Sequence, residues 1–285
     1  MSPRASRLGL LAALAACGPA SVSERASTTI PPAASSGSNA LRDAVGGPQR
    51  SAPEKARDIY RHPVETLEFF GVRDDMNVVE LWPGGGWYTA ILAPLVRERG
   101  HLVVASGDPN GEPKAEPTED GLAFLARRNR QPEVFDRVTW VQVPATGDIV
   151  LGPPESADAV LTFRNLHTFV WLKKEQPMLA AAFRVLRHGG VLGLTDHRAA
   201  PGGSTDPKVM GDTGYIPEAY AIRLVESAGY RFVGRSEINA NPRDTKDYEG
   251  GVWALPPTYA NGEKDHARYE AIGESDRMTL KFVKP

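Results

Sequence analysis

The stretch VVELWPGGGWYTA, residues 78–90, places one acid, Glu80, near the end of an apolar run and sets Gly84, Gly85 and Gly86 between Trp82 and Trp87. Glycines directly after a strand let the backbone take positive φ and let a bound molecule approach main-chain N–H groups without meeting a side chain. The chemistry on offer is the cradling of a ligand. A tight strand–helix turn explains the same glycines more plainly, and Trp82 and Trp87 suit a core as well as a ligand wall. Polar groups also follow later apolar runs: Asp108 in ASGDPNG, Asp148 in ATGDI, Arg164, Asn165 and His167 in LTFRNLHTF, and Asp196, His197 and Arg198 in GLTDHR. An ionised carboxylate accepts two hydroxyl donors well. Histidine titrates near neutral pH, so His167 or His197 suits proton transfer. Plainer roles stand beside these: Asp108 and Asp148 as turn formers, the histidines as satisfied hydrogen-bonding residues. His62, beside Arg61, reads as a lid residue or as a solvated helix face. The histidines and acids match no recognised metal motif, and no G-x-S-x-G elbow is present.

The elements that must position these groups alternate. Strand patterns cover NVVELW, HLVVAS, VTWVQV, ADAVLTF, VLGLTD, YRFVGRSEI and MTLKFVKP. Helical periodicity covers 54–71, divided by Pro63, and 87–100, with Pro94 inside it. It recurs over 119–130, over 175–190 with a glycine stop, and over 216–229 with Pro217 as first helical residue. Strands alternating with helices predict an α/β, doubly wound, mostly parallel seven-stranded sheet. The two last strands lack a clear helix between them, which predicts an antiparallel hairpin at one edge. In such a sheet ligands bind beyond the carboxyl ends of the strands, where the candidate residues fall.

The chain has 285 residues and a net charge of -2, without a basic stripe, which argues against a nucleic-acid partner. Arg4 and Arg7 precede the short apolar run LGLLAALAA, a secretory signal over 1–16. LAAC, residues 14–17, resembles the lipobox of bacterial lipoproteins. That resemblance implies lipidation of Cys17, export to the cell envelope and, with Gly18 following, the outer membrane. An ordinary signal peptide with an incidental cysteine is the alternative. Residues 17–53, rich in Ala, Ser, Pro and Gly, predict a disordered tether, and 54–285 the folded domain. Membrane contact is expected only through the lipid at Cys17.

VVELWPGGGWYT resembles motif I of class I S-adenosylmethionine-dependent methyltransferases, E/D-x-G-x-G-x-G, and is similar to a tryptophan-flanked version in predicted bacterial methyltransferases. A dinucleotide fingerprint is not met, because Thr89 stands at the place of its last glycine. Trp82 stands where the methyltransferase motif has its first glycine. The resemblance covers about 54–285 and implies a Rossmann-like fold, S-adenosylmethionine as cofactor and a small or medium-sized acceptor. It implies that Glu80, Trp82, Gly84, Gly85, Gly86, Tyr88, Asp108, Asp148, Arg164 and Asn165 bind the cofactor, Asp108 on the ribose, some 28 residues after Glu80. The catalytic candidates are His167 and His197. A non-catalytic, envelope-anchored binding protein on the same scaffold is the second reading, and a nucleotide-dependent oxidoreductase the third.

Overall fold

The computed structural model describes residues 36–107, 119–144 and 146–285. The expected signal, Cys17 and Asp108 lie outside them, as does the tether up to residue 35.

Seven strands form one sheet: β1 (Asn77–Leu81), β2 (His101–Ser106), β3 (Thr139–Gln142), β4 (Ala157–Phe163), β5 (Leu186–His197), β6 (Arg231–Ser236) and β7 (Arg277–Val283). Their order is β3-β2-β1-β4-β5-β7-β6. The first five run parallel, and β7 is antiparallel to both β5 and β6. The expected fold class and its antiparallel edge are both present.

Strand residues alternate between two covering layers, as the pleat requires. Val78, Leu102 and Leu161 face one layer, built from α1 (Ser36–Gly46), α2 (Ala52–Ala56), α3 (Asp58–Arg61), α4 (Pro63–Phe70) and α5 (Thr89–Val96) with α6 (Glu119–Arg130) and α7 (Pro132–Phe135). Val79, Leu81 and Leu192 face the other, which contains α8 (Leu166–Trp171), α9 (Glu175–Val185), α10 (Pro207–Thr213) and α11 (Glu218–Ser227). A last helix, α12 (His266–Ile272), precedes β7.

Four details differ from the sequence reading. The folded body begins before residue 54: α1 lies in the expected tether, with Leu41 and Ala44 buried in the core. Leu41 and Ala44, with Ala40 and Val45 packed beside them, dock the helix on the core. The 54–71 segment is divided at Pro63 as expected, where His62 takes φ 39°, but a second break at Arg57 makes it three helices. The 175–190 helix stops at Val185, since Leu186 is already extended and pairs with Ala157 in the sheet. Pro217 is the extended N-cap of α11 rather than its first helical residue.

The docking of α1 has a measurable consequence. Leu41→Ala removes a fully buried side chain and should cost about 2–5 kcal/mol in urea unfolding. A loss below about 1 kcal/mol would place α1 off the folded body.

Candidate functional site

The turn after β1 is held from both neighbouring strands. The Trp82 N–H donates to the Ala105 carbonyl of β2 at 2.8 Å. From the end of β4, Asn165 Nδ2 donates to the carbonyls of Leu81 and Trp82 at 3.1 and 3.0 Å. So held, Trp82 takes φ 52°, a left-handed conformation rare outside glycine. Gly84 and Gly86 are left-handed too, and a Cβ on Gly86 would lie 2.6 Å from the Phe124 ring. Gly85 differs: its φ is not positive and a Cβ there would meet nothing within 4 Å. It faces open space.

That space is a cavity of about 540 Å³ whose walls include Glu80, Trp82, Gly84, Gly85, Tyr88, Arg164, Asn165, His167 and His197. Arg57, Arg61, Trp253 and Thr258 complete it. A neighbouring cavity of about 620 Å³ shares Glu54 and Gly85 with it and is bounded by Gln49, Arg127 and Gln131. Trp82 packs edge-on against Phe169 and lines the larger wall. Trp87 is buried, with the guanidiniums of Arg50 and Arg61 at 4.6 and 4.7 Å from its ring. Tyr88 stacks flat on Phe163 at 3.5 Å, and its hydroxyl donates to the Arg61 carbonyl. Each aromatic therefore serves both core and cavity.

Glu80 is fully buried beneath the turn and accepts from Thr89 Oγ1 at 2.6 Å. Burial pushes its carboxyl up to about 7, against the Thr89 hydrogen bond and the charge of Arg127.

Across the cavity, β5 ends in a buried acid. Asp196 accepts the His167 N–H at 3.0 Å, the His197 N–H at 2.8 Å and a hydrogen bond from His167 Nδ1 at 2.8 Å. The carboxylate thereby fixes the imidazole ring and assigns its proton to Nδ1, leaving Nε2 as the basic nitrogen. His197 Nδ1 lies 2.5 Å from Ser275 Oγ. Burial, the adjacent His167 and the charges of Arg277, Arg164 and Arg61 hold His197 well below the usual histidine range. Donor atoms of His167, Asp196 and His197 come within 4.8 Å of one another, as a metal site would require. Both Asp196 oxygens, however, already face N–H donors.

Other candidates fall elsewhere. Asp148 is exposed, six residues past the end of β3, and lines neither cavity. Arg198 turns away to bind Asp276, Glu218 and Glu237. His62 lies 3.4 Å from Asn239 Oδ1, outside the cavity walls. The sequence reading assigned no role to Arg57, Arg61, Glu274 or Arg277. Arg57 and Arg61 do stand one helical turn apart, but nothing in the spacing said that this side would be covered.

Solved structures carry the same architecture. A SAM-dependent methyltransferase from Aquifex aeolicus aligns over 87% of this chain and 98% of its own, at TM-score 0.52 and 14% identity. The [4+2]-cyclase SpnF aligns over 87% and 92%, at TM-score 0.55 and 16% identity. A putative sarcosine dimethylglycine methyltransferase from Galdieria sulphuraria aligns over 83% and 88%, at TM-score 0.51 and 14% identity. This is the Rossmann-like methyltransferase fold. No family model matches the sequence, and no curated protein matches it.

The Glu80 carboxyl makes stability depend on pH. Its pKa rises from 4.5 in the unfolded chain to about 7 in the fold, so unfolding releases its proton between those values. Stability from this group is present at low pH and falls as pH rises through the window, reaching a cost of about 3 kcal/mol above it. Glu80→Gln should therefore raise the urea midpoint at pH 8 and change it little at pH 4.5. Equal effects at both pH values would show that Glu80 ionises normally.

Proposed function

We propose that the chain is an S-adenosylmethionine-dependent methyltransferase acting on a small or medium-sized acceptor. The observation that supports this most is Gly85, open to two cavities at the turn after β1, on a fold known from such enzymes. A side chain there would stand where the ligand must pass. The residues present fit the cofactor: a glycine turn with two left-handed positions, the buried acid Glu80 beneath it, and walls from Trp82, Tyr88, Arg164 and Asn165. Asp108 keeps its expected ribose role on the sequence resemblance alone. Asp148 is left out of the set because it is exposed away from the cavities.

When bound, the cofactor supplies a methyl group on a sulfonium, so the chain has to provide position and proton handling. Asn165 and the Trp82 N–H fix the turn. Asp196 holds His167 so that Nε2 can take a proton from a hydroxyl or amine acceptor. His197, kept neutral, lies beside it with ring centroids 5.4 Å apart. Export and lipid anchoring at Cys17 belong to the same proposal and rest on the N-terminal sequence. No helix among the described residues is long and apolar enough to cross a membrane.

A non-catalytic binding protein is the second reading. It is favoured by Trp82, which fills the place of the motif's first glycine.

Calorimetric titration of the chain from residue 18 with S-adenosylhomocysteine tests the reading. The wild type should bind in the micromolar range. Gly85→Leu should unfold at the same temperature, because its Cβ meets no neighbour, yet lose the binding. No binding by folded wild type would remove the methyltransferase reading.

A further inference from the structure

We propose that the cavity is built to receive an anionic acceptor, with a carboxylate or phosphate group seated among the guanidiniums of Arg57, Arg61 and Arg164. Calling that ligand the acceptor rests on the methyltransferase reading. The anion site itself rests on unbalanced buried charge.

Arg57, Arg61 and Arg164 line the cavity, and a single carboxylate, Glu274, answers Arg57 and Arg61 together with Arg277. Glu274 accepts from Arg57 Nε at 2.5 Å, from Arg61 Nε at 3.0 Å and from Arg277 Nη2. The other acids nearby are engaged elsewhere. Glu54 pairs with Arg127, Asp276 with Arg198 and Lys246, and Asp196 with the backbone and ring of His167. Arg61 is 2% exposed, yet both of its Nη atoms are buried without a partner, as are Arg57 Nη2 and Arg277 Nε. Leaving charged N–H groups buried and unmatched is costly. A ligand oxygen anion is the chemistry that would match them.

Arg164 adds a second observation. It takes φ 65° just past the end of β4, a left-handed conformation that is strained for any residue but glycine. Its guanidinium lines the cavity and makes no hydrogen bond or ion pair among the described residues. Burial and the charge of Arg277 lower it to about 10, which still leaves it charged at neutral pH. Meanwhile Arg61 is held in place by its stacking on Trp87 at 4.7 Å and by the Glu274 contact. Planar guanidiniums fixed in this way suit the paired oxygens of a carboxylate or phosphate.

Two sources of such an anion are possible: the acceptor, or the methionyl carboxylate of the cofactor. The cluster is built around the ends of β4, β5 and β7, through Arg164, His197, Glu274 and Arg277, and beside the His167 base. That position favours the acceptor.

The test is thermal unfolding of the full chain with sodium phosphate at low ionic strength, against sodium chloride of equal ionic strength. Arg164→Gln is the main variant, since Arg164 has no ion-pair partner to orphan; Arg61→Lys is the second. Phosphate should stabilise the wild type beyond chloride, and Arg164→Gln should weaken its apparent affinity about tenfold or more. The stabilisation should persist with saturating S-adenosylhomocysteine, which would support an acceptor site. Phosphate excluded by S-adenosylhomocysteine but not by 5′-methylthioadenosine, which lacks the carboxylate, would overturn it and assign the arginines to the cofactor. Phosphate binding without any S-adenosylhomocysteine binding would support the anion site and remove the methyltransferase reading. Equal responses to phosphate and chloride in a folded wild type would overturn the anion site.

Discussion

The carboxylate of Glu274 is the joint on which the cavity depends. It is buried, and it ties Arg57 and Arg61 of the N-terminal helices to Arg277 at the start of β7. Burial opposes its charge, but Arg277, Arg61, Arg57 and Arg164 outweigh burial and hold its carboxyl well below the usual range. A buried ion cluster of this kind is weak evidence for stability, because desolvation offsets attraction. What it does is positional: it fixes Arg57 and Arg61 against Arg277 at the start of β7. Asn239 reinforces the same joint, donating to Thr66 Oγ1 and Thr279 Oγ1 at 2.9 Å each.

The second constraint lies at the centre of the sheet. Strand β1 has β2 on one side and β4 on the other, so the chain order reverses there and a crevice opens above the strand ends. The glycine turn fills that crevice with backbone only. Asn165 reaches across from β4 to hold the turn, which explains how a left-handed Trp82 is tolerated. The same reversal puts β4 beside β1 and β5 next to β4, so His167 and His197 line one cavity with Gly84 and Gly85 without any sequence proximity.

What was legible in the sequence follows from period and run length. Consecutive valines in NVVELW mark a strand covered on both faces, and β1 is an interior strand with four of its five residues buried; HLVVAS is interior as well. The glycine turn, Asn165, His167 and His197 were legible because they follow such runs directly. Boundaries failed where two signals conflicted. Gly189 and Gly190 look like a helix stop, but Leu186 already pairs with Ala157, and the glycines fall within β5. The composition of residues 36–46 hid α1, since small residues dominate and only a few apolar groups dock it. Arg61 drew no assignment from the sequence, because the carboxylate that answers its buried guanidinium, Glu274, is more than 200 residues away in the chain. No local pattern carries such a pairing.

The charge balance of the cavity also bears on how its two ligands would share it. Guanidiniums outnumber carboxylates along the Arg61 side, and His197 beside them stays neutral. Like charges about 4 Å apart repel by about 4 kcal/mol at an effective dielectric constant of 20. Were the proposed cofactor's sulfonium to sit beside the unanswered arginines, it would be better placed once an anion had answered them. If the acceptor carries that anion, each ligand improves the site for the other, and thermodynamic linkage makes the gain equal in both directions.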